Sequence, residues 1–192
     1  MNIQVSVTHE YPLVSVVTMI APSPDWFVGV HGADLCDAKT GRFKNEMSFD
    51  LGPWDSGTDD GKQFDSPNAA SSPFVPIFLI TNTMDTVFKS NVPIPKLAVM
   101  TFTKTEESVM STTATTPVYP TSQYNVPLST CEGSAEYELT FRALWSKETH
   151  PNAYIAGAHF SPIVGASHNS RYKMWGPGLN ATEGVKIVAE TG

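Results

Sequence analysis

Leu13-Val14-Ser15-Val16-Val17-Thr18-Met19-Ile20 and Trp26-Phe27-Val28-Gly29-Val30 stand on either side of Ala21-Pro22-Ser23-Pro24-Asp25. The first run is long and rich in β-branched residues, as a central strand should be. The second resumes directly after an acidic turn stiffened by two prolines. The same design recurs about thirty residues later. Met47-Ser48-Phe49-Asp50-Leu51 leads into Pro53-Trp54-Asp55-Ser56-Gly57-Thr58-Asp59-Asp60-Gly61. Two strand-and-acidic-loop units thus dominate the first third of the chain.

Working outward, Ile3-Gln4-Val5-Ser6-Val7-Thr8 alternates with period two, as a half-buried strand does. Phe78–Thr81, Leu97–Thr103 and Tyr137–Ala143 supply further strands. Fifteen prolines and thirteen glycines punctuate them at intervals typical of a sandwich. Helical signals are few. Ala181–Glu190 follows an Asn/Thr cap and stops at Gly192, and Phe160–Ala166 reads as a second short helix. The expected class is all-β: an antiparallel β-sandwich of about eight strands with one or two short helices.

At 192 residues and 41% apolar content the chain can bury one sandwich-sized core. Its net charge of −7, with 19 acids against 12 Lys and Arg, argues against a nucleic-acid partner. No run of eighteen apolar residues predicts a membrane span, and Met1–Val5 lacks the basic start of a signal peptide. The two cysteines, Cys36 and Cys131, form no Cys-x-x-Cys pair, which disfavours zinc and redox chemistry. Read from the residues alone they are either bonded or buried thiols. Asn180-Ala181-Thr182 is a glycosylation acceptor triplet of a kind that also arises by chance.

The acidic loops suggest a hard cation. Ca²⁺ takes roughly six to eight oxygens from carboxylates, carbonyls and water. Asp25 is positioned by the flanking prolines, and Gly57 and Gly61 let the loop of Asp55 fold back and offer carbonyls. Asp59, Asp60 and Asp34 are further candidates. The competing reading is a set of Asx turns without metal. An EF-hand is rejected, because its third position falls on Gly57 and its twelfth on Ser66. Catalysis is not expected. Ser167-His168-Asn169 lacks both a nucleophile elbow and a placed acid among the five histidines. Trp26, Trp54, Trp145 and Trp175 read as core or loop anchors, with Trp26 and Trp54 partly exposed beside the acidic loops at most.

Longer phrases carry a family resemblance. Ala21–Val30, Asp34–Asp37, Asp50–Gly61 and Phe64–Asn68 resemble the spondin domain, the amino-terminal module of F-spondin and mindin. So do Ala135–Pro151, Phe160–Trp175 and Ala181–Gly192. In the family the second group of phrases comes first, so the halves here stand in reversed order. The expected organisation is 1–104 as the family's second half, 105–130 as a Thr/Ser/Pro-rich spacer, and 131–192 as its first half. A window on a tandem array ranks ahead of a natural or an engineered permutant, since the spacer is not a Gly/Ser linker.

The resemblance implies a sandwich, a calcium site at Asp25 and Asp55, and a Cys36–Cys131 disulfide. It also suggests that His168 makes a structural hydrogen bond near Trp175. One departure concerns Ser6, where some members carry a glutamate, so any contact made through that carboxylate is missing here. The implied function is a secreted, calcium-binding adhesion or extracellular-matrix module, not an enzyme. It would bind a protein receptor or copies of itself, as the repeat unit of a filament. The alternative is a secreted, calcium-dependent lectin-like module.

Overall fold

The computed structural model describes residues 1–108 and 129–192. The alternating run at the amino end forms β1 (Asn2–Thr8), and the β-branched run forms β2 (Leu13–Ala21). After the first acidic turn comes β3 (Trp26–Asp34), followed by the small hairpin β4 (Cys36–Asp37) and β5 (Arg42–Phe43). Then follow β6 (Glu46–Leu51), β7 (Trp54–Asp55), β8 (Phe78–Leu79) and β9 (Ala98–Ser108). The carboxyl-terminal part gives β10 (Ser134–Ala143), β11 (His159–Phe160), β12 (Val164–His168) and the helix α1 (Glu183–Thr191).

One sheet runs β1-β10-β9-β6, and the other runs β11-β2-β3-β7-β8 with β12 also on β2. Every pairing between these strands is antiparallel. The expected all-β sandwich is therefore the fold. Both halves of the sequence build both sheets: Val5 registers with Tyr137, and Val16 with Gly165.

The layers follow from strand parity. On β3, Trp26, Val28 and Val30 face the space between the sheets, where they meet Ile20, Phe102, Tyr137 and Leu139. Phe27 points the other way and packs with Val17, Trp175, Val185 and Ala189 beneath α1. β2 and β3 are thus covered on both faces, which explains their unbroken apolar runs. Each large side chain buried here contributes about 1.5–3 kcal/mol of transfer free energy. Gly29 is the point of closest approach, since a Cβ there would run into the Val16 carbonyl and the Trp175 ring.

Thr182 caps α1, its hydroxyl accepting from the Val185 N–H at 3.4 Å, and Gly192 ends the helix at φ +86°. The second expected helix, Phe160–Ala166, is corrected to β11 and β12. Ser161 between them is tied to the edge of β2, its Oγ accepting from the Met19 N–H at 2.9 Å and its carbonyl from the Thr18 hydroxyl at 2.7 Å. The available edge of β2 overrides local helix preference. Of the expected 105–130 spacer, residues 105–108 continue β9, and 109–128 lie outside the described residues. Cys36 and Cys131 form a disulfide that ties β4 to the segment preceding β10.

Candidate metal centre

Asp25 ends the proline turn and precedes Trp26, which registers with Asp55 on β7. The strand pairing that builds the sheet therefore also sets the two carboxylates side by side. Asp25 is 0% exposed, Asp55 7% and Asp59 6%.

The loop after β7 wraps around the Asp25 carboxylate. Its Oδ2 accepts from the Thr58 N–H at 2.8 Å, the Asp59 N–H at 3.1 Å and the Ser56 hydroxyl at 3.0 Å. The Ser56 N–H donates to the Asp25 carbonyl at 3.2 Å. Asp55 accepts from the Gly57 N–H at 2.8 Å and from the Trp26 indole N–H at 3.2 Å. Asp59 accepts from Gly61 N–H at 2.7 Å and Ala69 N–H at 2.8 Å. Gly57 makes the wrap feasible, with φ +74° and its Cα against the Val75 carbonyl, where a Cβ would collide. The loop thus contains the Asx turns of the competing reading, and they pull three carboxylates into one place.

The other Asp25 oxygen, Oδ1, is buried and has no hydrogen-bond partner. None of the ion pairs among the described residues involves Asp25, Asp55 or Asp59. Desolvation raises the Asp25 pKa against the pull of its donors, and the Asp59 charge adds to the rise. Desolvation and then the Asp25 charge push Asp55 up to about 7. Acids crowded together out of water favour either protonation or a bound cation.

A free carboxylate oxygen with two neighbouring carboxylates suits a hard cation. Asp25, through Oδ1, and Asp55 would hold it, with Asp59 adjacent. Among the described residues no three His, Cys, Asp or Glu side chains form a cage by themselves, so carbonyls and water would complete the shell.

Asp34 is not part of this group. It closes β3 at the opposite end, opposite Leu13, so roughly 30 Å of strand separates it from Asp25. Its Oδ1 accepts from the Cys36 N–H at 2.9 Å, an Asx turn entering β4. Asp60 accepts from the Ser71 hydroxyl at 2.6 Å, bracing the same loop from outside. The Ser56 and Thr58 side chains, which the sequence reading passed over, are both fully buried against Asp25. Their only signal was the Ser-x-Thr spacing inside an acidic turn. Asn180 is exposed just before the Thr182 cap.

Trp26 is wholly buried between Phe64 and Phe88, not partly exposed. Trp54 is half-buried on the outer face beside His31 and Trp175. His168 makes a buried bond, its Nε2 lying 2.8 Å from the Ser15 hydroxyl. Its Nδ1 faces the Asn169 carbonyl at 2.9 Å, which can only accept, so Nδ1 carries the proton and Ser15 donates to Nε2. Ser15 is 1% exposed. This pair fastens β12 to β2, while the Trp175 indole bonds the Val16 carbonyl at 3.3 Å.

No helix among the described residues is long and apolar enough to cross a membrane. The Spondin_N family model matches residues 1–98 and 135–192. Spondin-2 of Homo sapiens is similar at 29% identity over 195 residues, 97% of this chain and 56% of that protein. Spondin-2 of Rattus norvegicus is 49% identical over 70 residues, covering 36% of this chain and 21% of its own length. Spondin-1 of the same species is 51% identical over 61 residues, 31% of this chain and 8% of its own. The chain thus spans about half the length of human Spondin-2. With the family's model matching well over half of the chain, on strands from both sheets, the protein belongs to the spondin amino-terminal domain family.

Proposed function

We propose that this chain is a secreted adhesion or extracellular-matrix module whose loop end is stabilised by Ca²⁺ at Asp25 and Asp55. The observation that carries the cation is the buried, unpartnered Asp25 Oδ1 beside two further acids. Family membership supports the matrix role, and the Cys36–Cys131 bond fits an oxidising, extracellular setting. Binding would be to a protein receptor or to other copies of the module, without catalysis. We read the reversed halves as a unit of a tandem array. Both sheets and the disulfide close within one chain, with the spacer internal to the unit, which favours closed units in series over exchange of residues 131–192 between subunits. Such units in series would make a filament.

Calcium titration by calorimetry and thermal melting tests the site. Ca²⁺ is expected to bind and to raise the melting temperature, and Asp25→Asn to remove most of the rise. An unchanged melting temperature rejects the site. The lectin reading has less support, because carboxylates 0–7% exposed leave a sugar hydroxyl little access to a shared ion. A glycan array run in calcium and in EDTA separates the two.

A further inference from the structure

The two outer strands of the four-stranded sheet are built differently. β6 carries Glu46 and Asp50, with Lys96 held 2.8 Å from Asp50. Such charges guard an edge against another strand. β1, Asn2-Ile3-Gln4-Val5-Ser6-Val7-Thr8, has no charge, no proline and no shift in its register with β10.

Its hydrogen-bonding direction is determined by its neighbours. Met1 and Phe141 exchange N–H···O bonds at 2.9–3.1 Å, and the His9 N–H reaches the Gly133 carbonyl at 3.1 Å. In an antiparallel ladder such pairs alternate, so Ile3, Val5 and Val7 bond β10 while Asn2, Gln4 and Ser6 aim their N–H and C=O groups outward. Among the described residues no strand pairs with this side of β1, and the Thr8 backbone is occupied by Tyr11 at 3.1 and 3.4 Å, so the open edge ends there. Beside it lies a cleft of about 440 Å³ between the sheets, lined by Ile3, Val5, Val14, Val16, Ile163 and Gly165.

We propose that this edge pairs with the same edge of a second copy, joining the two four-stranded sheets across a two-fold axis. The strand is self-complementary. An axis at Gln4 places Gln4 opposite its twin and Asn2 opposite Ser6, giving about six new backbone hydrogen bonds from three outward-facing pairs. Ile3 then faces Val5 of the other copy over the cleft, while Asn2, Gln4 and Ser6 meet as polar pairs on the solvent side. The acids nearest the axis, Glu136 and Glu138, stand on β10, and the Glu136 carboxylate reaches across to accept from the Ser6 hydroxyl at 2.6 Å. The Glu138 backbones of the two copies fall roughly 14 Å apart, three strand spacings, and Glu136 is offset from its twin along the strands, so the pairs stand beyond the screening length of about 10 Å at 0.1 M salt. This contact is independent of the calcium site.

The test is sedimentation of the full chain at micromolar concentration, in calcium and in EDTA. The wild type is expected as a dimer in both. Gln4→Pro removes an outward N–H without touching the β10 ladder and weakens the dimer roughly tenfold or more, with circular dichroism unchanged. Gln4→Lys alone and Gln4→Glu alone also dissociate, and mixing them restores a heterodimer only if position 4 sits opposite itself. A monomeric wild type overturns the proposal. So does a dimer that survives Gln4→Pro, or one the charge-paired mixture fails to rebuild. A monomer that captures a synthetic Asn2–Thr8 peptide would give this edge to a foreign strand instead, and likewise overturn the dimer.

Discussion

Two sites in this molecule hold carboxylates out of bulk water, and they resolve the problem in opposite ways. Glu107, at the end of β9, accepts from Arg42 Nε and Nη2 at 3.0 Å each and from Lys104 at 2.8 Å. Those cations hold its pKa down at about 2. Asp25, Asp55 and Asp59 have abundant neutral donors but no cation of the protein's own among the described contacts. Neutral donors stabilise a carboxylate only in part once desolvation and mutual repulsion act together. A site that carries its own counter-charge is complete in the folded chain. One that gathers acids without it has a charge deficit at neutral pH.

The sharpest break in this comparison is Asp25→Ala. It strips the acceptor from the Ser56, Thr58 and Asp59 donors at once, and we expect a loss of about 3–5 kcal/mol by chemical denaturation. A loss under about 1 kcal/mol would mean the loop does not depend on that carboxylate.

Calcium is the next probe. At a hundred times its dissociation constant a ligand of the folded state adds about 2.7 kcal/mol, so melting should shift upward in the wild type. It should move little in Asp25→Asn. Glu107→Gln should leave the shift intact, because that site does not take part.

pH separates the two sites by sign. Asp55 has its folded pKa raised to about 7, so the apo protein holds the associated stability below the ordinary carboxylate range and loses it as pH climbs through about 7. The loss should be on the order of 4 kcal/mol and should shrink in calcium or in Asp55→Asn, leaving the part that the raised Asp25 carries. Glu107 behaves in reverse: its contribution is present above the usual glutamate range and disappears as pH falls toward about 2. Melting curves from acid to alkaline pH, with and without EDTA, check both limbs. The smallest effect is Glu107→Gln at pH 7, about 1 kcal/mol and weakened by salt, since Arg42 is 60% exposed.

These contrasts also mark how far the sequence could be read. Alternation in Ile3–Thr8 and Tyr137–Ala143 exposed the strands, because parity is local information. Asp25 and Asp55 were legible because each ends a strand-and-turn unit. Asp34 has the same chemistry, yet nothing local tells which end of a strand an acid will occupy, and it sits at the far end of β3. Phe160–Ala166 misled for a related reason. Its extended state depends on β2, more than a hundred residues earlier in the chain. The cysteine pairing came from the resemblance, since spacing alone left free thiols open.

The Cys36–Cys131 bond has a mechanical consequence. It spans 95 residues and closes nearly half of the chain into a covalent loop. Pulled from its two ends, an unfolded module can pay out only the residues outside that loop. The loop withholds roughly 320 Å of contour at about 3.4 Å per residue until the bond is reduced. In a force–extension trace, oxidised modules should therefore show short unfolding steps that lengthen by this amount in reductant. A tether made of such units would have its maximum stretch set by covalent chemistry, however weak its sheets.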